Sequence, residues 1–231
     1  MLQSNNILVS GCGFSWSGQE HKTWVNAFKA AGCKITDVGG PAVSNQWILN
    51  KTITELFNNE YESVIVQLTS LGKLDVEVDE IRKAELVDTD SLRNFTVNGI
   101  WPSSHSTEHI SKQFYQKYLA SPTLELEDVY CKLILLSEYC KQYDTKLIIL
   151  QAYEMPWSEA HKERLQQIIS NFERPLYTVY LESDYYKNHD KTNSNSVPCV
   201  DYQVMLAINL AEMVNPGILV RLEKIKKHLV M

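Results

Sequence analysis

No run in this 231-residue chain approaches the roughly 18 consecutive apolar residues that cross a bilayer, so no membrane span is expected. There is no surplus of positive charge either. The net charge of −6 is the opposite of the basic surface of a general nucleic-acid binder. Positive side chains gather only near the end, at Arg221, Lys224, Lys226, Lys227 and His228. No basic run precedes the short apolar stretch 7–9, so no secretory leader is expected. The five cysteines, Cys12, Cys33, Cys131, Cys140 and Cys199, are odd in number and form no CxxC, which indicates neither a disulfide framework nor a zinc site. Cys131 and Cys140 lie nine apart and would face opposite ways on one helix. All five read as reduced thiols in a cytoplasmic protein. There is no internal repeat, and no low-complexity tract beyond the short polar stretch 192–196.

The composition is ordinary for a globular protein, 44% hydrophobic and 22% charged. The length suffices for one sizeable core, so residues 1–231 are read as a single domain. Strand and helix signals alternate along it. Residues 7–10 form a short apolar run stopped by Gly11, a buried strand. Trp24, Phe28 and Ala31 recur at helical spacing, and Gly32 ends that helix. A second strand over 33–38 leads into Gly39, Gly40 and Pro41. Ser44 can cap a helix to about Leu56, with Trp47, Ile48, Ile53 and Leu56 facing inward. Residues 63–68 (SVIVQL) and 146–151 (KLIILQ) read as strands three and four, and 176–181 as a fifth. Between them, 71–122 is an insertion, charged and irregular at first, with a helix over about 108–119. Helices are expected over about 125–143, 158–171, 201–214 and 217–229, and the stretch 183–200 is polar without periodicity. Strands alternating with helices imply a parallel sheet with right-handed crossovers and helices on both faces. Ligands bind such sheets at the carboxyl ends of the strands. That rule selects the loops 11–18, 39–45, 69–73 and 183–201.

The first of these loops, Gly11-Cys12-Gly13-Phe14-Ser15-Trp16-Ser17-Gly18, follows a buried strand with three glycines and two more serines. As a phosphate cradle its spacing disagrees: the third glycine comes five after the second and no lysine follows. As a nucleophile loop it would set a serine hydroxyl at a helix start, with backbone N–H groups to hold an oxyanion. The plain alternative is a tight turn with capping serines.

Gly11, Cys12, Phe14 and Ser15 make this opening similar to the SGNH (GDSL-type) hydrolases, whose divergent members begin Gly-Cys-Ser-Phe-Thr/Ser. The resemblance implies a three-layer α/β/α, flavodoxin-like fold with a parallel sheet of about five strands. It also implies cleavage or transfer of acyl groups from small or carbohydrate esters by a Ser–His pair with an Asp, without metal or cofactor. The family's serine falls on Gly13 here, so Ser15 becomes the nearest nucleophile, with Ser17 and Ser10 behind it. Gly40 matches the glycine that turns its N–H to the oxyanion, beside Asn45. The family's third block offers an asparagine; here Thr69 or Ser70 would donate instead, with Lys73 adding charge. The last block is Asp-x-x-His; here Asp201 stands before the final helices without a histidine in step, and His189, next to Asp190, is the base within reach of a long loop. Catalytic residues implied are thus Ser15, His189 and Asp201, with Gly13, Gly40, Asn45, Thr69 and Ser70 as oxyanion or substrate contacts.

Other features stay open. His105 and His109 would share a helical face as metal ligands can, but no third ligand is evident and no metal is expected. Trp16, Tyr185 and Tyr186 sit on loops and could wall a sugar by stacking, whereas Trp47 reads as core. Trp101 and Trp157 complete the aromatic set. Two functions compete. One is an acyl-ester hydrolase or acyltransferase whose partner is a small-molecule or carbohydrate ester, with no nucleic acid and no membrane. The other is a non-catalytic binding or assembly protein that keeps the fold, the insertion serving as contact surface. A nucleotide-binding reading rests on the glycine loop alone. The oligomer state is not legible, since neither terminal helix shows a strong stripe.

Overall fold

The computed structural model describes residues 6–12, 15, 23–40, 43–71, 73–76, 95–98, 122–168 and 200–229. Its main sheet has four parallel strands, β1 (Asn6–Ser10), β2 (Lys34–Asp37), β3 (Ser63–Leu68) and β6 (Lys146–Gln151). They lie in the order β2-β1-β3-β6. The helices in chain order are α1 (Trp24–Ala30), α2 (Asn45–Asn58), α3 (Pro122–Gln142), α4 (Glu159–Ile168), α5 (Val200–Val214) and α6 (Pro216–Leu229). The chain is an α/β fold with helices on both sides of a parallel sheet.

The two faces follow from strand alternation. Leu8, Val64, Val66, Leu68 and Ile149 point to one side and pack with α2, α3 and α4 through Ile48, Leu49, Val129, Leu133 and Leu165. Ile7, Val9, Ile65, Ile148 and Leu150 point to the other and pack with α1, α5 and α6 through Trp24, Phe28, Ala207, Leu210 and Leu222. Strands covered on both faces need near-continuous apolar runs, which is why β1, β3 and β6 read so clearly in the sequence. Register is in phase: Ile7 pairs with Ile35 on one side and Ser63 on the other, and Val64 pairs with Leu147.

Ser44 caps α2 as expected, its Oγ accepting the Trp47 N–H at 3.1 Å. Ile48 and Leu56 are buried in that helix, while Trp47 and Ile53 are only partly covered. α3 starts at Pro122, earlier than its apolar pattern suggests, because proline is well placed in a first turn where its missing N–H costs nothing. At the α5–α6 boundary Asn215 Oδ1 accepts from Gly217 N at 2.8 Å, and Pro216 opens α6 rather than merely dividing two helices.

The insertion is corrected in one respect. Its charged first part holds β4 (Lys73–Val76), paired antiparallel with β5 (Phe95–Asn98). Four-residue strands reading KLDV and FTVN do alternate, but are too short for that alternation to stand out within the charged stretch. The expected helix over 108–119 and fifth strand over 176–181 lie outside the described residues. Among the described residues no helix is long and apolar enough to cross a membrane.

Cys12, Cys33, Cys131 and Cys140 carry free thiols. Cys131 is exposed on α3 and Cys140 buried, as their spacing requires. Burial pushes the Cys140 thiol up from 9.0 to about 12. The folded chain therefore keeps a proton that the unfolded chain releases, so this contribution to stability is complete below pH 9.0 and is lost as pH climbs toward about 12. Iodoacetamide at neutral pH is expected to modify Cys131 and leave Cys140 intact, as peptide mapping would show.

Candidate functional site: the carboxyl ends of β1, β2 and β3

β1 lies at the centre of the sheet, with β2 on one side and β3 on the other. Consecutive connections leave β1 in opposite directions, and open α/β sheets bind ligands in the crevice at such a switch point. Three of the loops selected from the sequence meet there.

The pairing of β1 with β2 continues beyond both strands. Val38 N donates to Val9 O at 2.9 Å, and Gly40 N donates to Gly11 O at 3.0 Å. Gly39 N is bound by Asp37 Oδ1 at 2.9 Å. A Cβ on Gly39 would stand 2.9 Å from the Gly11 carbonyl oxygen, so this approach of two backbones requires glycine. The expectation that the Gly40 N–H faces an oxyanion is therefore not met in this arrangement. The ladder has already spent that donor.

Ser15 closes a tight turn. Its N–H donates to Cys12 O at 2.9 Å and its Oγ to the same carbonyl at 3.2 Å. The residue is 0% exposed. Thr23 Oγ1 contacts Ser15 O at 3.4 Å, tying the turn to the start of α1. Gly11 lies directly beneath. A Cβ there would overlap Ser15 Oγ and come within 2.8 Å of Gln67 Cβ. Ser10, the other described serine of this region, is also 0% exposed and donates from Oγ to Ile48 O at 3.1 Å. The Ser15 hydroxyl closes its own turn and the Ser10 hydroxyl ties β1 to α2, so both are engaged with backbone carbonyls.

Asn45 is the first residue of α2 and is 0% exposed. Its Oδ1 accepts from Thr69 N at 2.8 Å, and its Nδ2 donates to Thr69 O at 3.1 Å and more weakly to Ser70 O at 3.5 Å. The side-chain amide pairs with the Thr69 backbone as a neighbouring strand would. The expected substrate contact from Asn45 is thus replaced by a clamp on the end of β3. Thr69 is itself 0% exposed. Ser70 differs: its Oγ is buried with no hydrogen-bond partner among the described residues.

Two glutamines that the sequence reading gave no role stand behind the loop. Gln67, on β3, is 0% exposed; its Nε2 reaches Cys12 Sγ at 3.6 Å while its Oε1 has no partner among the described residues. Gln203, on α5, is 1% exposed; its Oε1 accepts from Trp24 N at 3.1 Å while its Nε2 has no partner among the described residues. Buried polar groups are almost always bonded, so unused capacity beside a loop marks a place where polar chemistry is accommodated. A glutamine inside the otherwise apolar SVIVQL run was the available signal.

Gly13 and His189 lie outside the described residues, as do Trp16, Trp101, Tyr185, Tyr186, His105, His109 and Asp190. The backbone of Asp201 belongs to the first turn of α5, and its side chain is not described. Trp157 is buried, its Nε1 donating to Gln151 Oε1 at 2.9 Å. It packs edge-on to His161, whose ring stacks on Tyr130 at 4.3 Å and whose Nε2 lies 3.5 Å from Glu127 Oε1. This imidazole, between α3 and α4, was missed because nothing in its polar helical context distinguishes it. Among the described residues no group of three His, Cys, Asp or Glu could hold a metal.

No family model matches the chain, and no curated protein matches it. Similar solved structures include a protein described as lipolytic, of the G-D-S-L family, from Desulfitobacterium hafniense DCB-2, with a TM-score of 0.49 and 11% identity over 91% of this chain and 99% of that one. TesA gives a TM-score of 0.45 with 11% identity over 92% of this chain and 99% of its own. The psychrotrophic esterase EstA from Pseudoalteromonas sp., in a structure inhibited by monoethylphosphonate, gives 0.44 with 14% identity over 97% and 98%.

Proposed function

We propose that the crevice at the carboxyl ends of β1 and β3 binds a small or carbohydrate acyl ester, and that Ser15 shapes this site rather than attacking the ester. The ligand class comes from the resemblance of the Gly11, Cys12, Phe14, Ser15 motif to the SGNH hydrolases. The observation that carries the second half is the Ser15 hydroxyl itself, fully buried and donating to Cys12 O at 3.2 Å. A nucleophilic hydroxyl must face both a base and the substrate carbonyl, and among the described residues this one donates to the Cys12 carbonyl instead. Gly13, at the family's nucleophile position, supplies no hydroxyl. The net charge of −6 favours an uncharged or cationic small molecule over nucleic acid as the partner.

A second reading is an active hydrolase or acyltransferase, with Ser15 attacking, His189 as base and Asp190 or Asp201 orienting it. The position of Ser15 at the end of β1, in the motif itself, favours it. Reaction would require the Ser15 Oγ to exchange the Cys12 carbonyl for the histidine.

Treatment with a fluorophosphonate, followed by intact mass and peptide mapping, separates the two. We expect no adduct at Ser15, and p-nitrophenyl acetate turnover unchanged in Ser15→Ala, with about 1 kcal/mol of stability lost with the turn hydrogen bond. An adduct at Ser15, with turnover abolished by the substitution, would establish the active enzyme instead. Gly13→Ser provides the complementary measurement, since it restores a hydroxyl at the family's position.

A further inference from the structure

At the opposite end of the sheet, where the amino ends of β1, β3 and β6 emerge, lies a cleft of about 1000 Å³ that no part of the ester reading uses. Its walls combine Phe57, Tyr139 and Tyr143 with Glu60, Glu62 and Asp144. We propose that this cleft binds a small organic cation, a quaternary or alkylated ammonium group, against its aromatic row.

The rings form a continuous surface. Phe57 meets Tyr139 edge-on at 5.7 Å, and Tyr139 meets Tyr143 at 4.6 Å with a tilt of 36°. The middle ring is fixed, because Tyr139 Oη donates to Leu56 O at 2.8 Å. The outer rings are open: Phe57 is 72% exposed and Tyr143 56%. Large apolar side chains held this far into solvent around a cavity mark a binding surface more often than a scattered exposed residue does. Burial, then Tyr143, Cys140 and Glu60, push the Tyr139 hydroxyl up, so that ring stays neutral at physiological pH.

The described lining residues include three carboxylates, Glu60, Glu62 and Asp144, and no lysine or arginine, with Lys141 in the last turn of α3 outside the lining. Helix α2 ends at Asn58 with no basic residue in its last turn, and residues 58 and 59 line the cleft. Helix α3 ends at Gln142, and Asp144 follows it with φ of 52°. Two helix carboxyl termini, each carrying about half a negative charge, thus open where the carboxylates gather. Asp144 sits in the left-handed region, which asparagine and aspartate adopt more readily than most residues, and so places an acid at the end of a helix where the macrodipole disfavours it. A bound cation would offset both. Glu55 is occupied locally, its Oε1 accepting from Tyr61 Oη at 2.6 Å and Asn59 Nδ2 at 2.7 Å. A cation over aromatic faces, ringed by carboxylates it need not pair with directly, is the arrangement that recognises alkylated ammonium groups.

The test titrates the full chain with choline and with its neutral carbon isostere 3,3-dimethyl-1-butanol, followed by amide chemical shifts. Saturable shifts are expected around residues 57–62 and 139–145. The neutral isostere should bind at least about fivefold more weakly, and choline affinity should fall with added salt. Phe57→Ala, at a site exposed enough to spare the fold, and Glu60→Gln should each weaken choline about fivefold or more. An unchanged amide spectrum elsewhere verifies folding of each variant. Equal binding of the isostere, saturation by methyl glucoside instead of choline, or no saturable shifts in the cleft would overturn the proposal. None of these outcomes depends on whether the ester site is correct.

Discussion

Replacing Asn45 with alanine is expected to lower the unfolding free energy by about 2–4 kcal/mol. The side chain binds both the N–H and the carbonyl of Thr69, at 2.8 Å and 3.1 Å, in a place where neither residue is exposed. Alanine strands a buried donor and a buried acceptor together, and each such group costs roughly 1–3 kcal/mol when left unpaired. Urea unfolding monitored by circular dichroism would measure the loss. Asn45→Asp should recover part of the effect at the donor, since a carboxylate still accepts from Thr69 N, but it cannot donate to Thr69 O and would bury a charge. Because Thr69 and Ser70 follow the carboxyl end of β3, at the proposed ester crevice, ligand affinity should fall in Asn45→Ala more than in a core variant of equal stability loss. A change below about 0.5 kcal/mol would mean that water replaces the clamp without cost.

Gly11→Ala should be nearly as damaging, by about 2–3 kcal/mol, for steric rather than polar reasons. The new methyl would collide with Ser15 Oγ and lie 2.8 Å from Gln67 Cβ. Ser15 cannot retreat freely, since both its N–H and its hydroxyl hold Cys12 O. Gln67 cannot retreat either, being part of β3 at the centre of the sheet. The substitution must therefore reopen the turn or bend the strand. Combining it with Ser15→Gly separates these routes. If the hydroxyl is the main obstacle, the double variant should regain at least half of the lost stability; if the strand contact dominates, it should regain none. If the turn reopens, Ser15 becomes exposed, and reactivity toward fluorophosphonate that appears only in Gly11→Ala would show that packing, not chemistry, silences the hydroxyl.

The strands of the sheet were legible because burial on both faces demands unbroken apolar runs, and ILV, SVIVQL and KLIILQ supply them at β1, β3 and β6. The α2 cap was legible because Ser44 acts on the N–H only three residues away. The pairing of β4 with β5 was not, since each strand is only four residues long and its partner lies about 20 residues away within the insertion. The proposed crevice follows from topology, yet the polar groups expected to serve a ligand there are otherwise engaged. Ser15, Gly40 and Asn45 are residue types that catalyse or bind in the resembling family, and here their polar groups are committed to neighbouring backbone. The aromatic cleft at the amino ends was not legible at all: Phe57 and Tyr139 belong to different helices 82 residues apart, and neither helix shows an unusual pattern around them.

Periodicity and turn chemistry are local properties, carried by residues a few positions apart. They therefore determine strands, helices and caps before any tertiary contact forms. The occupancy of a hydrogen-bonding group is a different kind of property. Asn45 and Thr69 are 24 residues apart, and Trp24 and Gln203 are 179 apart. Only the folded tertiary structure brings such groups together, and only then is it decided whether a hydroxyl or an amide is left for a ligand or consumed in holding the loop that would bind one.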